Sequence, residues 1–548
     1  MAASLTITAA RSLLQAATEV TCKVGVVDCA SSLSADVDTC APYNGQYTDV
    51  QNNYLMLSGT IIFAAAMAFA IGGNDGANAW ATAVHSLAIK LRPACLLAGI
   101  FEIIGASTLG YGVSSSIQKG ISDIQDPKCF ACGRCDSSMG LYYVGMMASL
   151  IGASSFLIAA TYLRMPVSTT HAIVSAVLGM TVVYHGFGCV QWGMSNMGGI
   201  IVSWVLSPVM SGFICLFVYY VTYFFIFAAK SPRKRCFIAL PALYFIVVFV
   251  ISFLTFTKSP ATKKISKTAS AIIASGIGAV VSVLVILLLL PYLRRNLPSV
   301  NPNNKLDMET LMHQQDEAKK GEFEAMKTPK VEECSSDASN PDLIEQVRDS
   351  IAHVGMEDDK ERASMQVIAE YESLTEEQQD AMWMFKFVLI LVSCLQSFAH
   401  GSNDTANATA ALSAVINGFN RGRDSCSSAE SPWWIMLSAG VVLAIGVWLW
   451  GYRVMETIGR NICVVNFHRA FCTEFAASLT VVIASLLKLP VSSTHCQVGA
   501  VIFVSVAACG RKQVNWSLVT GVFSTWVATL PFAALVSALF AYLFKFAV

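Results

Sequence analysis

A short polar motif occurs twice within apolar sequence, and no other feature constrains the fold of this chain as strongly. Residues 72–79 read GGNDGANA and residues 401–408 read GSNDTANA, and each copy follows a long apolar run. An ionisable group at membrane depth is costly and mostly lines a pathway or a binding cavity. Glycine weakens a helix, and asparagine or aspartate favours the start of the next one. The motif therefore predicts two broken helices facing a shared site, because irregular backbone at that depth is tolerated only where it is buried in protein or lines a cavity.

The distribution of charge places the chain among membrane proteins. Only 13% of its 548 residues are charged, against about 25% in soluble domains. Residues 300–382 hold 21 of the 36 acidic residues but only 8 basic ones. The rest contains apolar runs long enough to span, since about 20 apolar residues cross a bilayer. We predict an all-α polytopic membrane protein, for which a net charge of zero says little about partners.

The same distribution divides the chain into five segments. We predict a polar, cysteine-containing tail (1–53), a first membrane repeat (54–230), connecting spans (231–293), a hydrophilic acidic loop (294–382) and a second membrane repeat (383–548). The loop carries too little apolar surface for a core of its own. Basic clusters flank one apolar run on both sides and cancel as evidence for orientation.

Six cysteines lie in polar sequence, unlike the others, most of which are single residues within apolar spans. They are Cys22, Cys29, Cys40, Cys129, Cys132 and Cys135. If the tail and the loop face an oxidising compartment, this even set can form disulfides. The C-x-x-C-x-x-C spacing also suggests a metal site, but no fourth ligand supports it. Disulfides are favoured over a metal, and reduced thiols remain an alternative.

A second motif repeats in the same order as the first. Residues 166–171 read PVSTTH and residues 490–495 read PVSSTH, each opening an apolar helix. From Asn74 to Pro166 is 92 positions, and from Asn403 to Pro490 is 87. Proline suits a helix start, and hydroxyls with free N–H groups there favour an anion. Two unlike motifs recurring at nearly equal spacing predict a duplication, which in transporters marks the central site.

These motifs resemble those of the inorganic phosphate transporter (PiT) family, which carries paired G-x-N-D-x-x-N and P-V-S-[TS]-T-H signatures and a long hydrophilic central loop. The resemblance covers residues 55–293 and 383–548, although Gly76 and Thr405 stand where the family usually has valine. It implies about twelve spans, an inverted repeat, and cotransport of phosphate with sodium or protons. It also implies termini outside and the central loop in the cytoplasm, so that the tail and the cysteine loop share the outer face.

The candidate site residues fall into three groups. Carboxylate and amide oxygens suit sodium, and the carboxylates could equally exchange a proton; the cation-binding candidates are Asp75, Asp404, Asn74 and Asn403. Hydroxyls at helix starts and nearby amides suit phosphate; the candidates are Ser168, Thr169, Thr170, Ser492, Ser493, Thr494, Asn78 and Asn407. Coupling or supporting roles are predicted for Glu102, Glu474, His171 and His495, with structural hydrogen bonding as the competing interpretation.

We therefore expect a symporter of the plasma membrane that takes up phosphate by alternating access, not an enzyme. Sodium or a proton is its cosubstrate, and we expect no other cofactor, no transition metal and no nucleic acid. The lipid bilayer and a second copy of the chain in a homodimer are the expected partners. Three alternatives stay open: sulfate transport on the same fold, a membrane-embedded Mg²⁺ enzyme acting on a lipid diphosphate, and a non-transporting sensor whose output is loop 294–382.

Overall fold

The computed structural model describes most of the chain as helices. It describes residues 27–29, 40–42, 50–132, 137–258, 262, 265–304, 370–421, 431–461, 466–487 and 489–546. Two short strands, β1 (Val27–Cys29) and β2 (Cys40–Pro42), pair antiparallel in the tail. Elsewhere in these ranges the regular elements are helices, as the composition predicts, joined by loops and turns with one isolated bridge between Ser122 and Val190.

The helices of the first half run up to residue 304. They are α1 (Tyr54–Ile71), α2 (Asn78–His85), α3 (Leu91–Leu109), α4 (Tyr111–Lys119), α5 (Met139–Tyr162), α6 (Thr169–His185), α7 (Met197–Thr222), α8 (Pro232–Lys258), α9 (Lys267–Leu284) and α10 (Leu290–Asn296). The helices of the second half are α11 (Glu376–Arg421), α12 (Trp433–Asn461), α13 (Phe467–Leu486), α14 (Ser493–Cys509) and α15 (Trp516–Phe544).

Ten helices in the described ranges are long and apolar enough to cross a membrane. Several of them expose rows of large apolar side chains, for example Val205, Leu206 and Phe213 on α7 and Phe523 and Val527 on α15. Such rows are stable only against lipid or another protein surface. The chain is an integral membrane protein, whereas the count of twelve spans and the inverted repeat remain predictions.

Two helical hairpins reach into the middle of the protein. The first consists of α5 and α6 and the second of α13 and α14, and the chain at each tip is non-helical over the P-V-S residues. Ser168 caps α6 by accepting a hydrogen bond from the His171 amide at 3.2 Å, and Ser492 caps α14 in the same way from His495. Hydroxyl caps of this kind satisfy first-turn amides and fix where each helix begins.

The bases of the hairpins lie at opposite ends of the helical span Tyr54–His85. Gly418 packs against the Tyr143 ring near the base of the first hairpin, and the neighbouring Phe419 contacts the Tyr54 ring at 5.2 Å. At the other end, one small cavity is lined by Ser86 and by Asn466, which caps α13 at the base of the second hairpin. The two tips therefore enter the body from opposite sides.

The prediction of two broken helices is wrong for the second copy of the motif. Residues 401–408 lie inside α11, a continuous helix of 46 residues. In the first copy, Gly72–Gly76 forms one π-helical turn between α1 and α2 instead of an open break. Buried glycines let these helices approach neighbouring backbones, and a helix keeps its own carbonyls satisfied within the membrane. The non-helical backbone at the centre belongs to the hairpin tips.

The cysteine loop forms disulfides, as favoured over a metal site, but the six cysteines are not a closed set, because Cys129 pairs with Cys189, which lies outside it. Cys132 is disulfide-bonded as well, and Cys29 and Cys40 are register partners in the strand pair. Cys22 and Cys135 lie outside the described residues. The bond to Cys189 joins the loop before α5 to the loop after α6, so that it closes the base of the first hairpin.

We expect Cys189→Ser to lower thermal stability. A crosslink across a separation of 60 residues lowers the conformational entropy of the unfolded chain and so raises its free energy by about 3–4 kcal/mol. Thermal unfolding of the purified protein under oxidising conditions measures the change. Cys509→Ser, which replaces a thiol at the end of α14, is the control. Equal melting temperatures for Cys189→Ser and the wild type would contradict a stabilising crosslink.

Candidate functional site

Asp75 and Asp404 lie side by side at the meeting point of the two tips. Both carboxylates are buried, at 2% and 0% exposure. With His400 they form a group whose potential ligand atoms all lie within 4.8 Å of one another. Two carboxylates this close repel unless a proton or a cation is shared between them. The two acids are separated by 329 positions in the chain, and the fold brings them to one point.

Each carboxylate receives hydrogen bonds from both hairpins. Asp75 accepts from the Thr169 hydroxyl at 2.7 Å and from the Thr494 hydroxyl at 2.9 Å. The first donor belongs to the hairpin that follows Asp75 in the chain, and the second belongs to the opposite hairpin. Asp75 is therefore hydrogen-bonded directly to both tips.

Asp404 makes the equivalent contacts with the hairpins exchanged. It accepts from the Ser493 hydroxyl at 2.7 Å and from the Thr170 hydroxyl at 3.4 Å. The backbone carbonyls of Val491 and Val167 lie 3.0 and 3.3 Å from the Thr170 and Thr494 hydroxyls and compete with the carboxylates for the same protons. The matching geometry shows that the two copies of both motifs occupy corresponding places in one site.

Asn78 and Asn407 extend this hydroxyl network. Asn78 donates to the Thr494 hydroxyl at 2.9 Å, and Asn407 donates to Thr169 and Thr170 at 3.1 and 3.2 Å. Among the described residues, neither side-chain carbonyl oxygen has a hydrogen-bond partner. Each is therefore available to a cation or to a donor on a bound molecule.

Asn74 and Asn403 make hydrogen bonds to the two hairpins near their tips. Asn74 donates to the Met165 carbonyl at 2.9 Å and accepts from the Val167 amide at 3.1 Å. Asn403 donates to the Ser485 hydroxyl at 3.0 Å, within the second hairpin, which follows it in the chain. Both amides hold the non-helical tips in place, and the amide oxygen of Asn74 is already occupied. The side-chain oxygen of Asn403 has no hydrogen-bond partner among the described residues, and the cation-binding role of both residues stays a prediction.

His400 is the site residue that sequence reasoning missed. Its Nδ1 lies 2.7 Å from a Glu102 oxygen, and its Nε2 lies 3.2 Å from Asp404. The available signal was its position four residues before Asp404 in apolar sequence, since residues i and i+4 share a helix face. The contact with Glu102 could not be read in this way, because 298 residues separate the two. Glu102 thus reaches the carboxylate pair through His400.

Glu474 belongs to a separate polar contact. One of its oxygens accepts from the Thr82 hydroxyl and from the Gln497 amide, the latter at 2.6 Å. These bonds tie α13 to α2 and α14. Its second oxygen has no hydrogen-bond partner among the described residues, and the same holds for the second oxygen of Glu102. The two glutamates are therefore not equivalent: one faces the carboxylate pair through a histidine, and the other connects helices.

Acidic groups dominate the electrostatics of the site. Among residues whose burial is described, Arg469 is the one buried lysine or arginine, and it pairs with Glu370 at the base of the second hairpin. An anion at the tips would therefore need a partner positive charge other than a fixed lysine or arginine. Oxygen ligands from carboxylates, hydroxyls and amides fit a hard cation or a proton. A buried site of this kind on membrane-spanning helices is typical of a membrane transport protein.

Comparison with known proteins identifies the kind of transporter. Residues 40–537 match the model of the phosphate transporter family, and the chain belongs to that family. A relative, the inorganic phosphate transporter 2-1, chloroplastic, of Arabidopsis thaliana, is 30% identical over 89% of this chain and 72% of its own length. The sodium-dependent phosphate transporter 1-A of Danio rerio is 26% identical over 92% of this chain and 97% of its own.

A solved structure described as the sodium-dependent phosphate transporter has the same fold. The TM-score is 0.68 at 27% identity, and the match covers 90% of this chain and 100% of that one. The resemblance drawn from the two motifs is thus confirmed, and so is the expectation of a transporter instead of an enzyme. The lipid-diphosphate alternative is excluded by the same findings.

Proposed function

We propose that the chain is a sodium-coupled phosphate symporter that works by alternating access. The observation that carries the proposal is the pair of buried carboxylates, each hydrogen-bonded by both hairpin tips. Relatives named as sodium-dependent support sodium as the coupling ion. The proton remains the competing cosubstrate and is an arm of the test below.

Hydrogen-bond capacity explains why cation and phosphate would bind together. A hydroxyl has one proton to donate, and the hydroxyls of Thr169, Thr494 and Ser493 donate theirs to Asp75 or Asp404. Phosphate oxygens accept hydrogen bonds, so the anion competes with the carboxylates for the same donors. A sodium ion between Asp75 and Asp404 replaces those donors as the partner of the carboxylates. The hydroxyls can then donate their hydrogen bonds to phosphate oxygens.

This exchange makes binding reciprocal, since an ion that improves phosphate affinity must itself bind more tightly when phosphate is present. It also places phosphate at the starts of α6 and α14, where the helix dipoles favour an anion. Because the tips enter from opposite sides, moving one hairpin away would hydrate the site from one side only. We propose the plasma membrane as the location.

Uptake of radiolabelled phosphate into proteoliposomes at fixed pH tests the proposal. We expect an inward sodium gradient to raise the initial rate about tenfold or more over potassium, in keeping with typical coupling energies of 1–3 kcal/mol. Sodium should lower the apparent KM for phosphate. An uptake rate that does not respond to sodium but rises with an imposed pH gradient would identify the proton as the cosubstrate. An uptake rate that responds to neither gradient would overturn symport.

A further inference from the structure

A row of four aromatic rings includes the histidines in the first turns of α6 and α14. The rings of Trp204 and His171 are 4.0 Å apart, those of His171 and His495 are 4.4 Å apart, and those of His495 and Trp526 are 3.8 Å apart. Both histidines and Trp526 are at most 5% exposed. Each histidine immediately follows a threonine of the site, Thr170 or Thr494. We call these four residues the ring cluster.

The ring cluster contains polar atoms that the protein does not satisfy. Nδ1 of His495 lies 3.2 Å from the Trp204 carbonyl. A carbonyl can only accept, so Nδ1 holds the proton and Nε2 carries a lone pair in the neutral ring. That Nε2 has no hydrogen-bond partner among the described residues. Neither ring nitrogen of His171 makes a hydrogen bond of ordinary length, although the Trp526 carbonyl lies nearby.

The two indoles add unsatisfied donors. Nε1 of Trp204 and Nε1 of Trp526 have no acceptor within the described ranges, and an indole N–H can only donate. Buried polar groups are normally paired, and leaving one unpaired is costly. The ring cluster therefore presents donors and acceptors together in a buried place, which calls for a molecule that both accepts and donates hydrogen bonds.

Protonated phosphate has this combination, and sulfate does not. Its bare oxygens accept hydrogen bonds, and its P–OH group donates one, whereas sulfate at neutral pH has only acceptors. We propose that the ring cluster is a selectivity subsite, in which the indole N–H groups bind bare phosphate oxygens and an imidazole lone pair accepts the P–OH hydrogen. The inference rests on the proposed transport of phosphate and goes further, by naming the form of phosphate recognised and the residues that exclude sulfate.

Competition between the two anions tests the subsite. Uptake of radiolabelled phosphate into proteoliposomes is measured against increasing unlabelled sulfate in the wild type, His495→Phe and His495→Gln. Phenylalanine keeps the ring and removes the lone pair, while glutamine keeps an acceptor. We expect phosphate-over-sulfate selectivity to fall about 10- to 100-fold in His495→Phe, because a site that loses its hydrogen-bond acceptor no longer rejects the wrong ligand. His495→Gln should stay within about threefold of the wild type.

Tryptophan fluorescence of the purified protein gives a readout that does not depend on transport. Phosphate, but not sulfate, should change the emission of the wild type, and Trp526→Phe should reduce that change. Unaltered selectivity in a His495→Phe protein that melts at the wild-type temperature would overturn the inference, as would a fluorescence change unaffected by Trp526→Phe. A wild type transporting sulfate as readily as phosphate would overturn the subsite and leave transport standing. A wild type transporting neither anion would overturn the proposed function.

Discussion

Asp404→Asn is expected to abolish phosphate uptake, with initial rates at least about 100-fold below the wild type. Asparagine keeps the size of the side chain but removes the negative charge that a cation requires. Its amide group also directs hydrogens toward the Ser493 hydroxyl and His400, which lie 2.7 and 3.2 Å from the present carboxylate. Losing one charge-assisted contact costs about 1.5–3 kcal/mol, and two or more such contacts exceed a factor of 100. Asp75→Asn is expected to reduce phosphate uptake to a similar extent.

The measurement is sodium-driven uptake normalised to the amount of folded protein in the membrane. Glu372→Gln is the matched control, because it removes one negative charge from an exposed position outside the site. We expect that control to retain uptake close to the wild-type rate. An Asp404→Asn protein that transports at more than half the wild-type rate would refute the role assigned to the carboxylate pair.

Gly401→Val is expected to prevent the second half of the site from forming. A side chain at Gly401 would place Cβ 2.3 Å from the Glu102 carbonyl oxygen, and one at Gly105 would place it 2.1 Å from the Phe398 carbonyl oxygen. Helices α3 and α11 therefore cross with their backbones in contact at two glycines. The obstacle is backbone and not a flexible side chain, so the helices must move apart. That movement separates Glu102 from His400.

We expect Gly401→Val to lose about 2–4 kcal/mol of stability, in the range of severe overpacking, and to lose uptake with it. Gly276→Ala is the control, since nothing lies within 4 Å of a Cβ at that position of α9. Alanine there should leave the melting temperature equal or slightly higher, because it favours helix. Thermal unfolding of the purified proteins measures both, and a wild-type melting temperature for Gly401→Val would contradict the close crossing.

The sequence predicted those parts of the site whose residues have a free-energy cost or a structural role that does not depend on distant partners. A carboxylate flanked by amides in apolar sequence, as at Asp75, is expensive wherever the chain places it, so its presence predicts a function without knowledge of the fold. A proline followed by hydroxyl residues likewise marks a helix start, and α6 and α14 begin at Thr169 and Ser493. The repetition of both motifs predicts a common site, because a duplicated chain places its two copies in corresponding positions.

Other features depended on partners that are distant in the chain. Glycine and asparagine near Asp404 suggested a broken helix, yet α11 continues through them because glycine there serves a helix crossing. The hydrogen bonds of Asn74 to Met165 and Val167, about 90 residues away, could not be predicted from the sequence around Asn74. Cys189 lies in the loop just after α6, and only the hairpin brings it to Cys129.

The sequence by itself determined the class of helical membrane protein, through its apolar runs, and pointed to the phosphate transporter family, through the resemblance of its two repeated motifs. It also predicted that the acids and hydroxyls of these motifs share one centre, because the cost of burying charge and the chemistry of helix starts are local properties. The tertiary structure decided how those groups are paired. It brought the Thr494 hydroxyl to Asp75 and the Thr170 hydroxyl to Asp404 as hydrogen-bond donors. It also brought Glu102 into contact with His400 and packed the rings of the ring cluster together. Contacts between residues hundreds of positions apart follow from how whole helices pack, and no local pattern encodes them.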